Sequence, residues 1–492
     1  MYVSVFLTGA ILLILELLGL RLLTPYFGNT SLTTSSILST VLGGLAIGYW
    51  IGGKLGKVKE PQKVFFGLII ISGVLIALLN SLYTPILQFI TTNSNNSLST
   101  VLAASVLFLI PCTIFGVISP LAIIVLTRAA SKTVATSVGN MYSISTLGSI
   151  VGSLLTGYVL IPHFGLNDIL KVLSIILLLI GSLGLAYGSS KRFQITTFVI
   201  ALLLSLLLSL QLNPNNRGVV ATVNGEYATI QVIDGTFQAK STRFFVMDRQ
   251  NAAAKYINEP NNLVYDYTKA FDSYSLYGVH PKKIAVIGGA AYTLPQAYIQ
   301  NDSTVSVDVF ELEPKTIEVA NQYFGGAANN PRIRTFLGDA RIELAKHHAE
   351  YDAIFLDAYN TPQTIPWQLS TREFYAEVNQ ALTDNGVIIS NIISTTRYQQ
   401  AHILGSLYQT QSTEFSNFFA FATELTDKKT TNALLLASKK TPFSLRSTKY
   451  FDTNYYTSHS IDLTSLTSGI VLTDNYAPLE HLAFLETVET LK

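Results

Sequence analysis

Long apolar segments fill the first 212 residues and constrain the fold more than any other feature of the chain. Seven runs are candidate membrane spans, at about 3–24, 36–56, 64–89, 101–127, 140–162, 168–188 and 194–212. A helix of about 20 consecutive apolar residues crosses a bilayer. A single run also suits a buried helix of a soluble protein, but seven in succession predict a multi-pass α-helical membrane domain at 1–212.

The composition agrees with a membrane domain and excludes several functions. Charged residues make up 13% of the 492 residues, against about 25% in soluble domains. The net charge of +1 carries no signature of nucleic-acid binding. The single cysteine, Cys112, excludes an intrachain disulfide, and the seven histidines lack metal-ligand spacing, so we expect no metal. The first apolar run is long and lacks a basic flank, which favours a span over a cleavable signal peptide.

The loops between the apolar runs alternate in charge and predict the orientation of the domain. Loops after the second, fourth and sixth runs contain Lys or Arg, whereas those near 25–35, 92–99 and 162–167 contain neither. Loops rich in Lys and Arg face the cytoplasm. We therefore expect the domain to lie in the lipid bilayer of the cell membrane, with its N-terminus on the cytoplasmic side. After seven spans the chain emerges outside, but long domains contribute little to this rule, and the side of the C-terminal half stays open.

Glycines recur every four residues in two of the runs, at Gly44, Gly48 and Gly52 and at Gly148 and Gly152. Small residues at this spacing let helix backbones approach closely. We therefore expect both glycine faces to be helix contacts within the membrane domain.

The apolar pattern changes beyond residue 212, which predicts a second, soluble half. Residues 211–217 are polar and are interpreted as a linker. The β-rich runs VVATV, YATIQVI and RFFVM follow, with turn signals at Gly225 and at Asp234-Gly235. A linker and a small antiparallel β subdomain are therefore assigned to 213–275, and an α/β domain to 276–492.

Strands and helices alternate from residue 282 onwards. Strands are predicted at 284–287, 305–310, 333–337, 353–356 and 386–391, and helices at 293–300, 314–323, 340–347 and 371–382. Thr293 is the predicted cap of the first helix. Alternating strands and helices predict a parallel, doubly wound sheet, which binds its ligand at the carboxyl ends of its strands.

Glycine and acidic residues follow the first four of these strands. Gly288 and Gly289 end the first strand, Glu311 follows the second, Asp339 the third and Asp357 the fourth. An acid after the second strand, about 20 residues beyond a glycine turn, accepts hydrogen bonds from ribose hydroxyls. One acid after a strand is usually a turn or cap residue, but three at successive strand ends predict a nucleoside site.

The glycine turn GGAAYT lacks the further glycines or the lysine that cradle a diphosphate. Neither GxxxxGK[ST] nor GxGxxG is present, and no GxSxG elbow supports a hydrolase. A nucleoside without a diphosphate, such as S-adenosylmethionine or a relative, fits better than NAD or ATP.

Several of these motifs resemble a known family. IAVIGGAAYTLPQ, FELEP, LGDAR and LDAYNTPQTIPWQLSTREFY resemble the core of spermidine synthase, a polyamine aminopropyltransferase. LELLGLRLLTPYFG, GYWIGG, STLGSIVGSLLTGYVLIPHFG and LTDNYAPLEHL resemble the membrane-fused spermidine synthase-like proteins. The resemblance covers nearly the whole chain. It implies a Rossmann-like fold of the S-adenosylmethionine methyltransferase type, with a small β subdomain, behind a membrane domain.

The resemblance also implies roles at the matching positions. Gly288 and Gly289 are expected to line the nucleoside pocket, Glu311 to hold the ribose and Asp339 to contact the adenine amino group. Asp357 is expected beside the reacting centre. The remaining expected contacts are on the substrate side, at Gln250, Tyr292 and Tyr359.

Two departures from the family bear on the chemistry. The family's glycine motif GGGDGG contains an Asp that helps to hold the aminopropyl donor, whereas GGAAYT is one residue shorter and has no carboxylate. The family's loop DSxDP contains a second Asp as general base, whereas DAYN has Asn360, and an amide does not accept a proton from an amine at neutral pH. Asp357 and Asp474 are the candidates to replace it.

Three hypotheses therefore stay open. The first is a membrane-anchored transferase that moves an aminopropyl group from decarboxylated S-adenosylmethionine to a polyamine or another amine. The second is another S-adenosylmethionine-dependent transferase, such as a methyltransferase, whose chemistry tolerates Asn360. The third is a non-catalytic, transporter-like or sensor protein that binds a polyamine or a nucleoside. A homo-oligomer is a further expectation from the resemblance.

Overall fold

A computed structural model of the chain contains two compact units, Met1–Asn216 and Arg217–Lys492. The structure describes residues 1–55, 58–93, 97–130, 134–186, 218–359, 364–396, 399–425 and 430–490, together with 196, 199, 200 and 203. Each unit has its own core of buried apolar side chains, one large cluster in the first unit and several in the second.

Six long helices make up the described part of the first unit. They are α1 Tyr2–Phe27, α2 Ser31–Lys54, α3 Pro61–Asn93, α4 Ser97–Ala130, α5 Val134–Leu155 and α6 Leu166–Ala186. A π-helical turn at Thr156–Leu160 and the short helical segment Ile161–His163 continue α5. Within the described residues, these six are long and apolar enough to cross a bilayer, which confirms the first six predicted segments. Apart from four isolated positions, the seventh segment, 194–212, lies outside the described residues and stays a prediction.

The two glycine faces predicted from the sequence are contacts between helices. A Cβ on Gly48 of α2 would overlap the Thr113 carbonyl oxygen of α4. A Cβ on Gly148 of α5 would overlap the Phe6 carbonyl oxygen of α1. These helix pairs therefore meet through their backbones, and the contact requires glycine.

Apolar side chains also cover the outer surface of this unit. Leu42 on α2 is 63% exposed, and Tyr158 in the π-helical turn after α5 is 78% exposed. Helices that are apolar on every side suit a lipid environment better than water.

The second unit begins with a four-stranded antiparallel sheet in chain order, with β1 Val219–Asn224, β2 Thr229–Phe237, β3 Lys240–Met247 and β4 Gln250–Tyr256. Two-residue turns at Gln238-Ala239 and Asp248-Arg249 join β2 to β3 and β3 to β4, with positive φ at all four residues. Such turns match the twist of antiparallel strands. A short helix, α7 Asp266–Lys269, and a 3₁₀ segment, Ala270–Tyr277, lead from here to the central sheet.

Seven strands form the central sheet of this unit. They are β5 Lys283–Ile287, β6 Ser306–Glu311, β7 Ile333–Leu337, β8 Tyr351–Leu356, β9 Leu382–Ser394, β10 Asn417–Ala422 and β11 Thr431–Ser438. Their order is β10-β11-β9-β8-β5-β6-β7. The accompanying helices are α8 Thr293–Asn301, α9 Lys315–Tyr323, α10 Ala340–Leu344, α11 Arg372–Ala381, α12 His402–Gln411, α13 Thr453–His459 and α14 Leu479–Thr490.

The five predicted strands and the Rossmann-like fold class are confirmed, with two corrections. Strands β5 to β9 are parallel, but β11 runs antiparallel to β9 and β10 antiparallel to β11, so the sheet is mixed. Only residues 423–430 separate β10 from β11, which is too short for the helical crossover that parallel neighbours need. Thr293 is the first residue of α8 rather than its cap, because Tyr292 takes the capping position in a left-handed conformation with φ 57°.

Replacing a contact glycine of the first unit is expected to destabilise it. In Gly48→Leu the new side chain overlaps the α4 backbone, which costs about 1–3 kcal/mol or more. Gly43→Leu is the matched control, because no heavy atom of a neighbouring element lies within 4 Å of a Cβ built there. Thermal denaturation of the full chain in detergent measures both. Equal melting temperatures for the two variants would contradict the α2–α4 contact.

Candidate functional site

A cavity of about 760 Å³ opens at one edge of the central sheet. The carboxyl ends of the parallel strands β5, β6, β7 and β8 meet at this edge, and parts of β4, α7, β9 and β11 enclose the rest. The predicted site residues that line the cavity are Gly288, Glu311, Asp339, Asp357, Gln250 and Tyr359.

The glycine turn after β5 passes very close to the end of β8. Gly288 has φ 98°, and a Cβ there would overlap the carbonyl oxygen of Asp357. Its N–H donates to the Phe310 carbonyl oxygen at 3.0 Å. Only glycine satisfies both the backbone conformation and the space, so this residue brings the ends of three strands together.

Glu311 holds the same turn from the end of β6. Its Oε2 accepts from the N–H groups of Gly289 at 2.8 Å and Ala290 at 3.3 Å, and its Oε1 accepts from Glu313 N–H at 2.9 Å. The side chain is 7% exposed. Burial raises the pKa of this carboxyl, and the backbone N–H donors oppose that shift. Glu311 is therefore a fixed acceptor at the cavity wall, and Gly289 orients it from behind.

Asp339 lies at the end of β7 and caps α10. Its Oδ1 accepts from the backbone N–H of Arg341 at 2.9 Å and of Ile342 at 3.3 Å. Part of the side chain still lines the cavity. The cap role and the ligand-facing position are thus combined in one residue.

Asp357 follows β8, where protein surrounds it except on its cavity side. Asn391 Nδ2 donates to its Oδ1 at 2.8 Å, and Tyr267 lines the same cavity and favours the ionised form of this carboxyl. Burial raises the pKa of Asp357 to about 6, while these two side chains oppose the shift. A carboxyl that titrates near neutrality suits proton transfer at physiological pH.

Two of the expected substrate-side residues line the same cavity as Asp357. Gln250 begins β4 and lines the cavity from the β subdomain. The Tyr359 hydroxyl donates to the Asn391 carbonyl oxygen at 2.7 Å, and burial raises the pKa of this phenol.

Three other expected residues, Gly289, Tyr292 and Asp474, do not line the cavity. Tyr292 is buried, and its hydroxyl bonds to Thr335 Oγ1 at 2.8 Å. Asp474 accepts from Arg341 Nη1 at 2.7 Å and Nη2 at 2.9 Å, and from the Thr371 hydroxyl at 2.7 Å. Asn360 lies outside the described residues.

The sequence analysis missed three polar residues beside Asp357. Tyr267, Asn391 and Asn432 all line the cavity, and they come from α7, β9 and β11. Asn391 and Asn432 are amides next to apolar runs of their strands, and this contrast was the signal available in the sequence.

One cluster away from the cavity offers metal-ligand atoms among the residues that the structure describes. Ligand atoms of Asp308, His347 and Glu350 lie within 4.8 Å of one another. Arg334 Nη2 donates to Asp308 at 2.7 Å, and Lys283 pairs with both Asp308 and Glu350. Two cationic side chains thus already neutralise these carboxylates.

The second unit is similar to polyamine aminopropyltransferases. The sequence profile of the Spermine/spermidine synthase domain matches residues 271–445. The polyamine aminopropyltransferase of Vibrio vulnificus is 32% identical over 147 residues, which are 29% of this chain and 48% of that protein. That of Bacillus cereus is 24% identical over 168 residues, which are 34% of this chain and 54% of that protein. The chain spans about half the length of these curated relatives.

Solved structures give weaker likenesses. A probable spermidine synthase from Corynebacterium glutamicum has a TM-score of 0.40 at 17% identity, over 54% of this chain and 93% of that one. The spermidine synthase of Thermotoga maritima has a TM-score of 0.40 at 17% identity, over 50% of this chain and 87% of that one. The C-terminal part of the chain thus matches the profile of a spermidine synthase domain, and six helices able to span a membrane precede it in the described residues.

Asp357 and Asp474 are expected to affect stability with opposite dependence on pH. The raised pKa of Asp357 means that its contribution is present below about pH 4, the ordinary value, and is lost as the pH rises through about 6. Arg341 lowers the pKa of Asp474, so that contribution is present at neutral pH and is lost in acid. Asp357→Asn should therefore gain in melting temperature relative to the wild type as the pH rises from 4 to 7. Asp474→Asn should melt below the wild type at neutral pH, and this deficit should shrink only as the pH falls below about 4. Differences that stay flat with pH would contradict both assignments.

Proposed function

We propose that the spermidine synthase domain binds a nucleoside of the decarboxylated S-adenosylmethionine type and transfers its aminopropyl group to an amine. One observation carries the proposal: acids at the ends of β6, β7 and β8 share a single cavity, and the third of them titrates near neutrality. The profile match at residues 271–445 supports the reaction class.

The positions of Glu311 and Asp339 indicate which end of the cavity would hold the nucleoside. Glu311 faces the cavity with its carboxylate already held by three backbone N–H groups, so it accepts ribose hydroxyls without reorganising. Asp339 accepts from the adenine amino group, and the close turn at Gly288 lets the nucleoside approach the backbone. These roles rest on position in the cavity together with the motif resemblance.

Asp357 is the proton acceptor of the proposed reaction. The lone pair of the acceptor nitrogen attacks the methylene carbon bonded to the sulfonium, the C–S bond breaks, and its electron pair returns to sulfur as a thioether. The new C–N bond leaves an ammonium, whose proton passes to the Asp357 carboxylate, which is mostly ionised above pH 6. Positioning supplies most of the rate, since the sulfonium is already a good leaving group.

A methyltransferase is the second candidate function, and the missing carboxylates favour it. Ala290, Ala291 and Tyr292 provide no acid for the ammonium of an aminopropyl donor, and Asn360 stands where the family has its base. Methyl transfer from S-adenosylmethionine uses the same nucleoside contacts and needs neither acid. A binding protein without catalysis shares only the nucleoside contacts.

The proposed setting is a multi-pass anchor in the cell membrane. The length and apolar outer surface of the six helices support it. An amine is the proposed small-molecule partner, and the chain is proposed to assemble as a homo-oligomer, as the resemblance implies. An outer position of the C-terminal unit requires that the nucleoside be supplied on that side of the membrane.

Ligand titration tests the proposed site directly. Calorimetry of the full chain with decarboxylated S-adenosylmethionine, S-adenosylmethionine and putrescine should give binding of the decarboxylated nucleoside. Glu311→Ala should weaken that binding by about 1–3 kcal/mol through lost charged hydrogen bonds. Glu318→Ala is the control, because Glu318 is exposed on α9 and pairs with Lys315. Tighter binding of S-adenosylmethionine would favour methyl transfer, and no adenosyl binding would exclude both transferases.

A reporter fused after Lys492 tests the number of spans. With a cytoplasmic N-terminus and seven spans, we expect the reporter outside the cell. Two fusions are compared, one with a reporter that is active only in the cytoplasm and one with a reporter that is active only outside the cell. A cytoplasmic signal would mean that 194–212 does not cross the membrane.

A further inference from the structure

Four separate parts of the second unit converge on the carboxylate of Asp357. Asn391 from β9 donates to it, Asn432 from β11 donates to Asn391, and Tyr267 from α7 lines the cavity beside it. Tyr359 bonds to the backbone of Asn391 from the segment that follows β8. Polar groups from distant parts of the chain therefore surround one side chain of the cavity.

Two hydrogen bonds orient the side-chain amide of Asn391. Asn432 Nδ2 donates to Asn391 Oδ1 at 3.0 Å, so the Asn391 NH₂ group is turned toward Asp357, 2.8 Å from its Oδ1. Asn391 is 2% exposed, so water does not compete for either contact. The Tyr359 hydroxyl, 2.7 Å from the Asn391 carbonyl oxygen, holds the strand at this point.

The Tyr267 hydroxyl is a donor throughout the physiological pH range. Burial, followed by the negative charge of Asp357, raises the pKa of this phenol well above its ordinary value. Tyr267 and Tyr359 are the titratable groups that act on Asp357, while Glu311 and Asp339 share the cavity at the neighbouring strand ends.

We propose that Tyr267 and Asn391 are positioning residues for Asp357, and that Asn432 locks the Asn391 amide in the donating orientation. The Asn391 hydrogen bond fixes the direction of the carboxylate, and both side chains stabilise its ionised form against burial. Asn432 acts indirectly, through Asn391. Without the Asn432 N–H donor, the Asn391 amide is free to rotate and to present its oxygen to the Asp357 carboxylate. The catalytic consequence rests on the proposed function, whereas the effect on Asp357 itself does not.

The competing explanation is purely structural, that the two amides only fill the space between β9 and β11. Backbone hydrogen bonds pair Val387–Ser394 of β9 with Thr431–Ser438 of β11. This pairing does not depend on either side-chain amide. A structural role therefore predicts a loss of stability that is equal at every pH. The positioning role predicts a change in the titration of Asp357.

The test is a pH series of thermal denaturation on the full chain in detergent. Tyr267→Phe, Asn391→Leu and Asn432→Leu are each compared with and without Asp357→Asn, so that the difference isolates the titration of Asp357. We expect its midpoint to rise by about 1 pH unit when one donor is removed. Tyr277→Phe is the matched control, because its buried hydroxyl donates to the Leu436 carbonyl oxygen instead.

Turnover and binding separate this inference from the proposed function. If the chain transfers an aminopropyl group, the acidic limb of the rate profile should move to higher pH in the same variants, with unchanged affinity for the nucleoside. If it does not, the denaturation series still decides the positioning role. An unchanged midpoint in Tyr267→Phe, the mildest variant, and in Asn391→Leu would overturn the proposal.

Discussion

Two glutamates at the end of β6 hold the functional end of the second unit together. Glu311 binds the backbone N–H groups of the glycine turn, while Glu313 Oε2 accepts from Tyr227 N–H at 2.7 Å and Ala228 N–H at 3.2 Å, in the turn between β1 and β2. One acid thus shapes the floor of the cavity, and the other fastens the β subdomain beside it. Glu313 is 2% exposed, and removal of its side chain would leave three backbone N–H groups, the buried one of Ala228 among them, without this acceptor.

The chemistry of the cavity depends on how burial and hydrogen bonds are balanced at each acid. Glu311 meets only backbone donors, which hold it ready to bind. Burial raises the pKa of Asp357 to about 6, which suits the proton-acceptor role proposed for it and makes its ionised form costly at neutral pH. Asp474 is paired with Arg341 and has a lowered pKa, so it stabilises the fold rather than contributing to the cavity.

The first unit follows a different rule, because lipid offers no hydrophobic driving force between apolar helices. Close contact through Gly48 and Gly148 replaces it, and the spacing of these glycines made the contact predictable. The strand ends with Gly288, Glu311, Asp339 and Asp357 were equally predictable, since parallel strands bring their carboxyl ends to one edge whatever the details of packing. Tyr292 was expected in the cavity because of its place in the motif, yet its left-handed backbone turns the side chain toward Thr335.

The sequence by itself determined the classes of the two units and the acids at the sheet edge, because periodicity and strand order follow from local pattern. Only the tertiary structure decided which groups surround Asp357. Tyr267, Asn391 and Asn432 are far apart in the chain, and β11 reaches the site through an antiparallel hairpin that the repeating pattern did not reveal. Local sequence specifies where a side chain points along its own element. Its neighbours across the sheet depend on how the whole chain packs, and here burial raises the pKa of Asp357 while the side chains of Asn391 and Tyr267 oppose that shift.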